Sequence, residues 1–168
     1  IDQPVEKYLP EFRGQMLTVE KNAEHVLLKK PLRPVTVKDL LTHTSGLTSS
    51  LPTGGAALDT LTLAGAVIGY AVSPLQFEPG SRWQYCNPGI NTLGRLVEVV
   101  SGMPYAEFMR KRIFDPLGMK DTTFWPSEAQ MKRLATAYRS NKEKTGLEAT
   151  TVSHLTHPYS MKSRMALP

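Results

Sequence analysis

The clearest regular element in this sequence is an amphipathic helix that begins near Asn87 and ends at Gly102. Asparagine is a favoured N-cap residue, and Pro88 suits the first helical position because it lacks a backbone N–H. Glycine ends helices readily because it adopts the left-handed conformation without a Cβ clash. The apolar residues recur at helical spacing and predict one buried face, formed by Ile90, Leu93, Leu96, Val97 and Val100.

The other predicted helices are short, because 13 prolines and 12 glycines interrupt the chain. Thr36 suits an N-cap, and Asp39 completes a capping-box pattern for a helix that should end at about His43. Three more helices are predicted within residues 58–72, 104–113 and 127–134, and residues 140–151 form a polar turn between extended pieces. Because no strand–helix–strand alternation is visible, we predict a fold that is mainly α in this chain.

The chain has 168 residues, the length of one ordinary domain, and we divide it into three segments. Residues 1–34 are punctuated by prolines and rich in loops. Residues 35–138 hold the predicted helices, and residues 139–168 combine the polar turn with extended chain. Neither end carries a recognisable terminal signal, so we expect the sequence to be a piece of a longer protein.

Composition and charge exclude several classes of protein. No run approaches the roughly 18 uncharged apolar residues of a membrane-spanning helix, so no membrane span is predicted. The formal net charge of +5 comes from scattered basic residues, whereas a nucleic-acid-binding face needs them clustered among aromatic residues. We therefore expect no nucleic-acid partner. The single cysteine, Cys86, excludes a disulfide framework and a cysteine-based zinc site.

The four histidines do not form a metal-binding pattern. His154 and His157 are close in sequence, but no third ligand lies nearby and the H-E-x-x-H pattern is absent. We interpret this pair as loop histidines; the other two are His25 and His43. No metal or cofactor is predicted.

Two short motifs resemble catalytic ones but lack the expected surroundings. Thr44-Ser45-Gly46 is missing the first glycine of the G-x-S-x-G turn that exposes a nucleophilic serine, so we interpret Ser45 as a helix-terminating residue. Residues 144–146 spell the K-T-G triplet of penicillin-recognising enzymes. This triplet lies in the polar turn and not on a predicted strand, which favours a structural role.

The segment Tyr85-Cys86-Asn87 is a better candidate, because it lies between a Pro-Gly turn and the capped helix. Such a junction can hold side chains in place. A tyrosine can act as a general base when close cations lower its pKa. An amide two residues later can face the same space and bind a substrate carbonyl group or a lysine ammonium group. On composition alone, Asn87 also fits a simple helix cap.

Five segments match one family pattern in the right order. Residues 40–47 read LLTHTSGL, and residues 79–87 read PGSRWQYCN and contain a Y-x-N motif. Residues 97–102 and 115–122 follow with VEVVSG and DPLGMKDT, and residues 2–12 precede them with DQPVEKYLPEF. Over roughly residues 1–138 the chain resembles the serine β-lactamase-like family, which includes class C β-lactamases, DD-peptidases and related carboxylesterases.

The resemblance implies that residues 35–138 form the helical lobe of the α/β β-lactamase/transpeptidase-like fold. It also implies an acyl-enzyme mechanism, in which the serine of an S-x-x-K motif attacks an acyl carbon. The motif lysine and the Y-x-N tyrosine transfer protons, and backbone N–H groups form the oxyanion hole. By position, Tyr85 is that tyrosine and Asn87 is the asparagine.

This sequence contains no S-x-x-K motif. In the family that motif lies on a helix before the segment that matches residues 1–34, and the sheet domain follows the segment that matches residues 139–168. We therefore expect a fragment of a serine hydrolase that is inactive in isolation. The alternative is a non-catalytic relative that has lost its nucleophile and binds a peptide or a glycan.

The resemblance leaves the substrate open among β-lactams, peptides and esters, all of which are small-molecule or peptide acyl compounds. Members of the family are commonly exported, which implies a periplasmic or secreted protein. A helical lobe without its sheet domain exposes an apolar face, so we expect self-association. Cys86 occupies the variable position of the motif and is expected to be a buried filler.

Overall fold

The computed structural model describes residues 1–48 and 61–151, which fall into two compact units, Ile1–Tyr105 and Ala106–Pro168. The helices are α1 (Val37–Leu41), α2 (Leu63–Val72), α3 (Asn87–Ser101), α4 (Tyr105–Met109) and α5 (Glu128–Met131). The strands are β1 (Leu17–Lys21), β2 (Val26–Lys29), β3 (Ala137–Ser140) and β4 (Leu147–Thr150). Short 3₁₀ turns form at Val5–Lys7 and Pro10–Phe12, and a π-helical turn at Arg110–Phe114 follows α4.

The prediction of a mainly α-helical lobe is wrong. Helix accounts for 36% and strand for 14% of the described residues, and the strands form two antiparallel two-stranded sheets. In the turn between β1 and β2, Asn22 Oδ1 accepts hydrogen bonds from the backbone N–H groups of Glu24 and His25. Strands of four or five residues carry too little alternation to be distinguished from loops by sequence, and cross-strand pairing defines them.

The core of the first unit joins the 3₁₀ turns, α1, α2 and the loop that leads to α3. Its buried apolar residues are Val5, Leu9, Phe12, Leu17, Val35, Leu40, Leu47, Ala66, Val67, Tyr70, Ala71, Leu75 and Cys86. Backbone hydrogen bonds attach β1 to this core. The N–H of Thr18 donates to the Leu75 carbonyl oxygen (2.9 Å), and the N–H of Leu75 donates to the Met16 carbonyl oxygen (2.7 Å).

The helix ends predicted at Thr36 and Gly102 are confirmed, whereas the helix predicted within residues 104–113 is divided into α4 and the π-helical turn. Thr36 and Asp39 form the capping box of α1, and Gly102 ends α3 in the left-handed conformation with a φ of 67°. Helix α1 ends at Leu41, earlier than expected, because the chain already turns left-handed at His43. The helix predicted within residues 58–72 begins at Leu63, and residues 58–60 of that prediction lie outside the described residues.

The predicted buried face of α3 is only partly correct. Leu93 and Leu96 pack against the core, but Ile90 and Val100 are exposed. The fully buried positions are small or compact residues, namely Pro88, Gly89, Thr92 and Gly94. A Cβ at Gly89 would lie 3.5 Å from the Leu40 carbonyl oxygen, which shows that the backbones of α3 and α1 approach closely here.

In the second unit, α5 is shorter than the helix predicted within residues 127–134, and β4 occupies part of the polar turn predicted over residues 140–151. Ser127 and Gln130 form the capping box of α5, and β3 pairs with β4 across the polar turn of residues 141–146. Among residues 1–48 and 61–151, no helix combines the length and the apolar character needed to span a bilayer.

Candidate functional site

Tyr85 and Asn87 lie on the surface where the chain enters α3, one on each side of a buried Cys86. Cys86 has an extended backbone (φ −148°, ψ 104°), so the side chains before and after it point away from the core. The Tyr85 side chain is 60% exposed. In the described part of the chain, neither its hydroxyl group nor the Asn87 amide group makes a hydrogen bond to protein.

The interpretation of Asn87 as the helix N-cap is wrong. The cap position belongs to Cys86, Asn87 is the first residue of α3, and no side chain caps this end. The amide of Asn87 is therefore not used by the helix. It remains available to a ligand, which is what the Y-x-N interpretation requires.

Cys86 is a packing residue, in agreement with expectation. Its side chain is 3% exposed, and its thiol donates to the Leu47 carbonyl oxygen at 3.3 Å. Burial raises the pKa of the Cys86 thiol, so the reactive thiolate form is disfavoured.

His43 makes three contacts with residues 84–86, two of them within the candidate segment. The backbone N–H of Cys86 donates to His43 Nδ1 at 3.2 Å, and the N–H of Gln84 donates to the His43 carbonyl oxygen at 2.9 Å. The imidazole and Tyr85 rings are tilted by 41° with their centroids 4.8 Å apart. The sequence interpretation missed this residue, although it lies within the LLTHTSGL segment on which the family resemblance rests.

The loop of residues 42–48 continues these contacts along the loop of residues 76–86. The N–H of Gly80 donates to the Thr44 carbonyl oxygen at 2.8 Å. The N–H of Gln76 donates to the Gly46 carbonyl oxygen at the same distance. Gly46 adopts a φ of 77° and faces the Phe77 carbonyl so closely that a Cβ would overlap it. The LLTHTSGL segment therefore orders the backbone that leads to Tyr85.

A buried carboxylate stabilises the base of this loop. Arg33 donates two hydrogen bonds to Asp39, at 2.6 and 2.9 Å, and the hydroxyl groups of Thr36 and Thr44 donate to the same carboxylate. Burial alone would raise the pKa of Asp39, but the bonds from Arg33 and Thr36 outweigh it and lower that pKa to about 2. Asp39 is therefore charged at neutral pH and positions Thr44, the neighbour of His43.

The other two motifs singled out in the sequence are used by the local structure around them. Ser45 is 1% exposed, and its hydroxyl oxygen accepts from the Leu47 N–H at 3.3 Å, so it is not presented as a nucleophile. The Lys144-Thr145-Gly146 triplet lies in the turn between β3 and β4, where Asn141 Oδ1 accepts from the N–H groups of Thr145 and Gly146.

His25 lies exposed in the turn between β1 and β2, whereas His154 and His157 fall outside the described residues. The described ranges contain no group of three or more histidine, cysteine or acidic residues arranged to hold a metal ion.

The beta-lactamase family model matches residues 1–156. The chain therefore belongs to the beta-lactamase family, a serine hydrolase-type family whose members include esterases and peptidases. The LLTHTSGL and Y-x-N segments both lie within the matched range.

Two curated relatives and one solved structure illustrate the match. A lovastatin esterase from Penicillium rubens is 37% identical over 134 residues, which is 75% of this chain and 33% of the relative. The D-alanyl-D-alanine-carboxypeptidase/endopeptidase AmpH of Escherichia coli K12 is 35% identical over 109 residues, 63% of this chain and 28% of the relative. The structure of EstCE1, a hydrolase with promiscuous acyltransferase activity, matches with a TM-score of 0.68 and 29% identity.

The EstCE1 match covers 89% of this chain and 38% of that structure. The chain thus spans 28% to 38% of the length of these three proteins.

Proposed function

We propose that this chain forms the Y-x-N portion of a serine hydrolase that cleaves ester or amide acyl groups. The proposal rests on a contrast between the backbone and the side chains of Tyr85-Cys86-Asn87. The backbone of this segment is held by His43, while the Tyr85 hydroxyl and the Asn87 amide on either side of Cys86 are exposed and make no hydrogen bond within the described residues.

In the proposed reaction, a serine hydroxyl attacks the acyl carbon and the leaving alcohol or amine departs with a proton. Water then cleaves the acyl-enzyme and releases a carboxylic acid. Tyr85 takes part in these proton transfers, and Asn87 donates a hydrogen bond from its amide to the substrate carbonyl group or accepts one from the lysine of S-x-x-K. Because the sequence contains no S-x-x-K motif, we propose that the serine and lysine are supplied by polypeptide outside these 168 residues.

Esters are the substrates to test first, because one relative is named an esterase and the similar structure is that of a hydrolase with acyltransferase activity. Amides come second, because AmpH is named a carboxypeptidase and endopeptidase. The 168-residue chain alone is expected to turn over neither class, since it lacks the nucleophile motif.

The test is Tyr85→Phe in the full-length protein that contains this chain, assayed with a p-nitrophenyl ester, nitrocefin and a D-alanyl-D-alanine peptide. Loss of a proton-transfer group should lower kcat about 100-fold or more with little change in KM. Tyr138→Phe is the matched control, because Tyr138 is also 60% exposed but lies on β3. It should leave turnover unchanged.

Asn87→Ala should lower kcat/KM about tenfold, the effect expected when one useful hydrogen bond is lost. Full activity in Tyr85→Phe would contradict the role of that residue. No turnover of any of these substrates by the full-length protein would contradict the enzyme proposal and favour a peptide- or glycan-binding relative.

A further inference from the structure

His43 contacts the residues on both sides of Tyr85. Its carbonyl oxygen accepts from the N–H of Gln84, and its Nδ1 accepts from the N–H of Cys86. Because Nδ1 is the acceptor, a neutral imidazole carries its proton on Nε2. Its ring also faces the Tyr85 ring at 4.8 Å, so a single residue restrains both the backbone around the tyrosine and the ring itself.

The backbone of His43 is in an uncommon conformation that makes this arrangement possible. Its φ is 58°, in the left-handed region, which non-glycine residues seldom adopt, although histidine and asparagine do so more often than most. The preceding helix α1 ends at Leu41, and the left-handed turn brings both the carbonyl group and the ring of His43 to the same segment. Strained conformations of this kind are frequent at functional sites.

We propose that His43 is a positioning residue of the active site, whose Nδ1 acceptor holds Tyr85 and Asn87 in the orientation needed for proton transfer and for carbonyl binding. This inference rests on the proposed hydrolase function. Independently of that function, it states that one side-chain hydrogen-bond acceptor orders the backbone of the Y-x-N segment.

Two substitutions separate the acceptor from the backbone conformation. Asparagine places an oxygen where Nδ1 lies and tolerates a positive φ, so His43→Asn should keep the bond to the Cys86 N–H. Glycine also tolerates a positive φ but has no acceptor, so His43→Gly should fold and lose the bond. Both variants lack the imidazole ring, so the lost ring contact with Tyr85 is common to them. They differ in the side-chain acceptor and in the greater backbone freedom of glycine.

The measurements are kcat and KM for a p-nitrophenyl ester and the hydrogen-exchange rate of the Cys86 amide, all in the full-length protein. In His43→Gly we expect kcat to fall about 10- to 100-fold with KM nearly unchanged, because small displacements of reacting groups are costly. The Cys86 amide should exchange at least about tenfold faster. In His43→Asn, both quantities should stay within about threefold of the wild-type protein.

His25→Asn is the matched control, because His25 is exposed in the β1–β2 turn, and it should change neither quantity. Equal losses in His43→Asn and His43→Gly, or no loss in His43→Gly, would overturn the proposal. If the wild-type full-length protein turns over no ester or amide, the proposed function fails. The exchange of the Cys86 amide then still decides whether His43 orders the segment.

Discussion

Replacing Gly46 by alanine should destabilise the protein by about 3–6 kcal/mol, because three effects act at this one position. Alanine in the left-handed region costs about 1–2 kcal/mol. Its Cβ would also overlap the Phe77 carbonyl oxygen, and forced displacement of packed backbone costs about 1–3 kcal/mol. The resulting shift breaks the 2.8 Å hydrogen bond from the Gln76 N–H to the Gly46 carbonyl oxygen, which costs about 1 kcal/mol.

The assay is equilibrium urea unfolding, with Gly14→Ala as the matched control. Gly14 has a similar φ of 73°, but a Cβ there would meet no atom within 4 Å. Alanine at position 14 should therefore cost only the conformational part, about 1–2 kcal/mol. If the two variants lose the same stability, the close approach of Gly46 to Phe77 is not rigid, and the argument that this loop orders the candidate site would be wrong.

Three further outcomes are expected. Asp39→Asn should cost about 2 kcal/mol at neutral pH, since it removes a buried charged acceptor. The pKa of Asp39 in the folded protein is about 2, below its usual value of 3.8. The stability difference between Asp39→Asn and the wild-type protein should therefore be complete above about pH 5 and decrease as the pH falls from about 4 to 2. A difference that stays constant over that range would contradict the lowered pKa of Asp39. The thiol of Cys86, buried and with a raised pKa, should react with an aromatic disulfide reagent only upon unfolding, and rapid labelling of the folded protein would contradict its packing role. The 168-residue chain should self-associate in sedimentation velocity runs, and Val100→Lys, at a position 63% exposed on α3, should weaken that association; a monomer at high concentration would contradict the expectation.

Features determined by neighbouring residues could be predicted from the sequence. The capping box at Thr36 and the terminating glycine at Gly102 both use hydrogen bonds or conformations within one turn of chain. The candidate pair Tyr85 and Asn87 came from a motif resemblance, and the structure shows both side chains at the surface beside an ordered loop. Their catalytic roles stay a prediction.

Features determined by distant residues could not be predicted. The hairpin of β1 and β2 is defined by cross-strand pairs and by the bonds of β1 to Leu75, far along the chain. The buried face of α3 follows from the close contact of Gly89 with Leu40, so small residues are buried where apolar periodicity predicted Ile90 and Val100. The bond between His43 and Cys86 joins residues 43 positions apart and has no local signature.

Exposed, buried and exposed side chains follow one another at Tyr85-Cys86-Asn87. This alternation connects the packing of the core to the chemistry proposed for the surface. Burial of the Cys86 side chain and the bond from its N–H to His43 set the register of the extended segment. A slip of one residue would bury the phenol and expose the thiol, at the cost of the contacts that Cys86 makes with the core. Tyr85 and Asn87 are thus presented by a backbone that is already ordered, and polar groups held in this way need little reorganisation when a substrate binds.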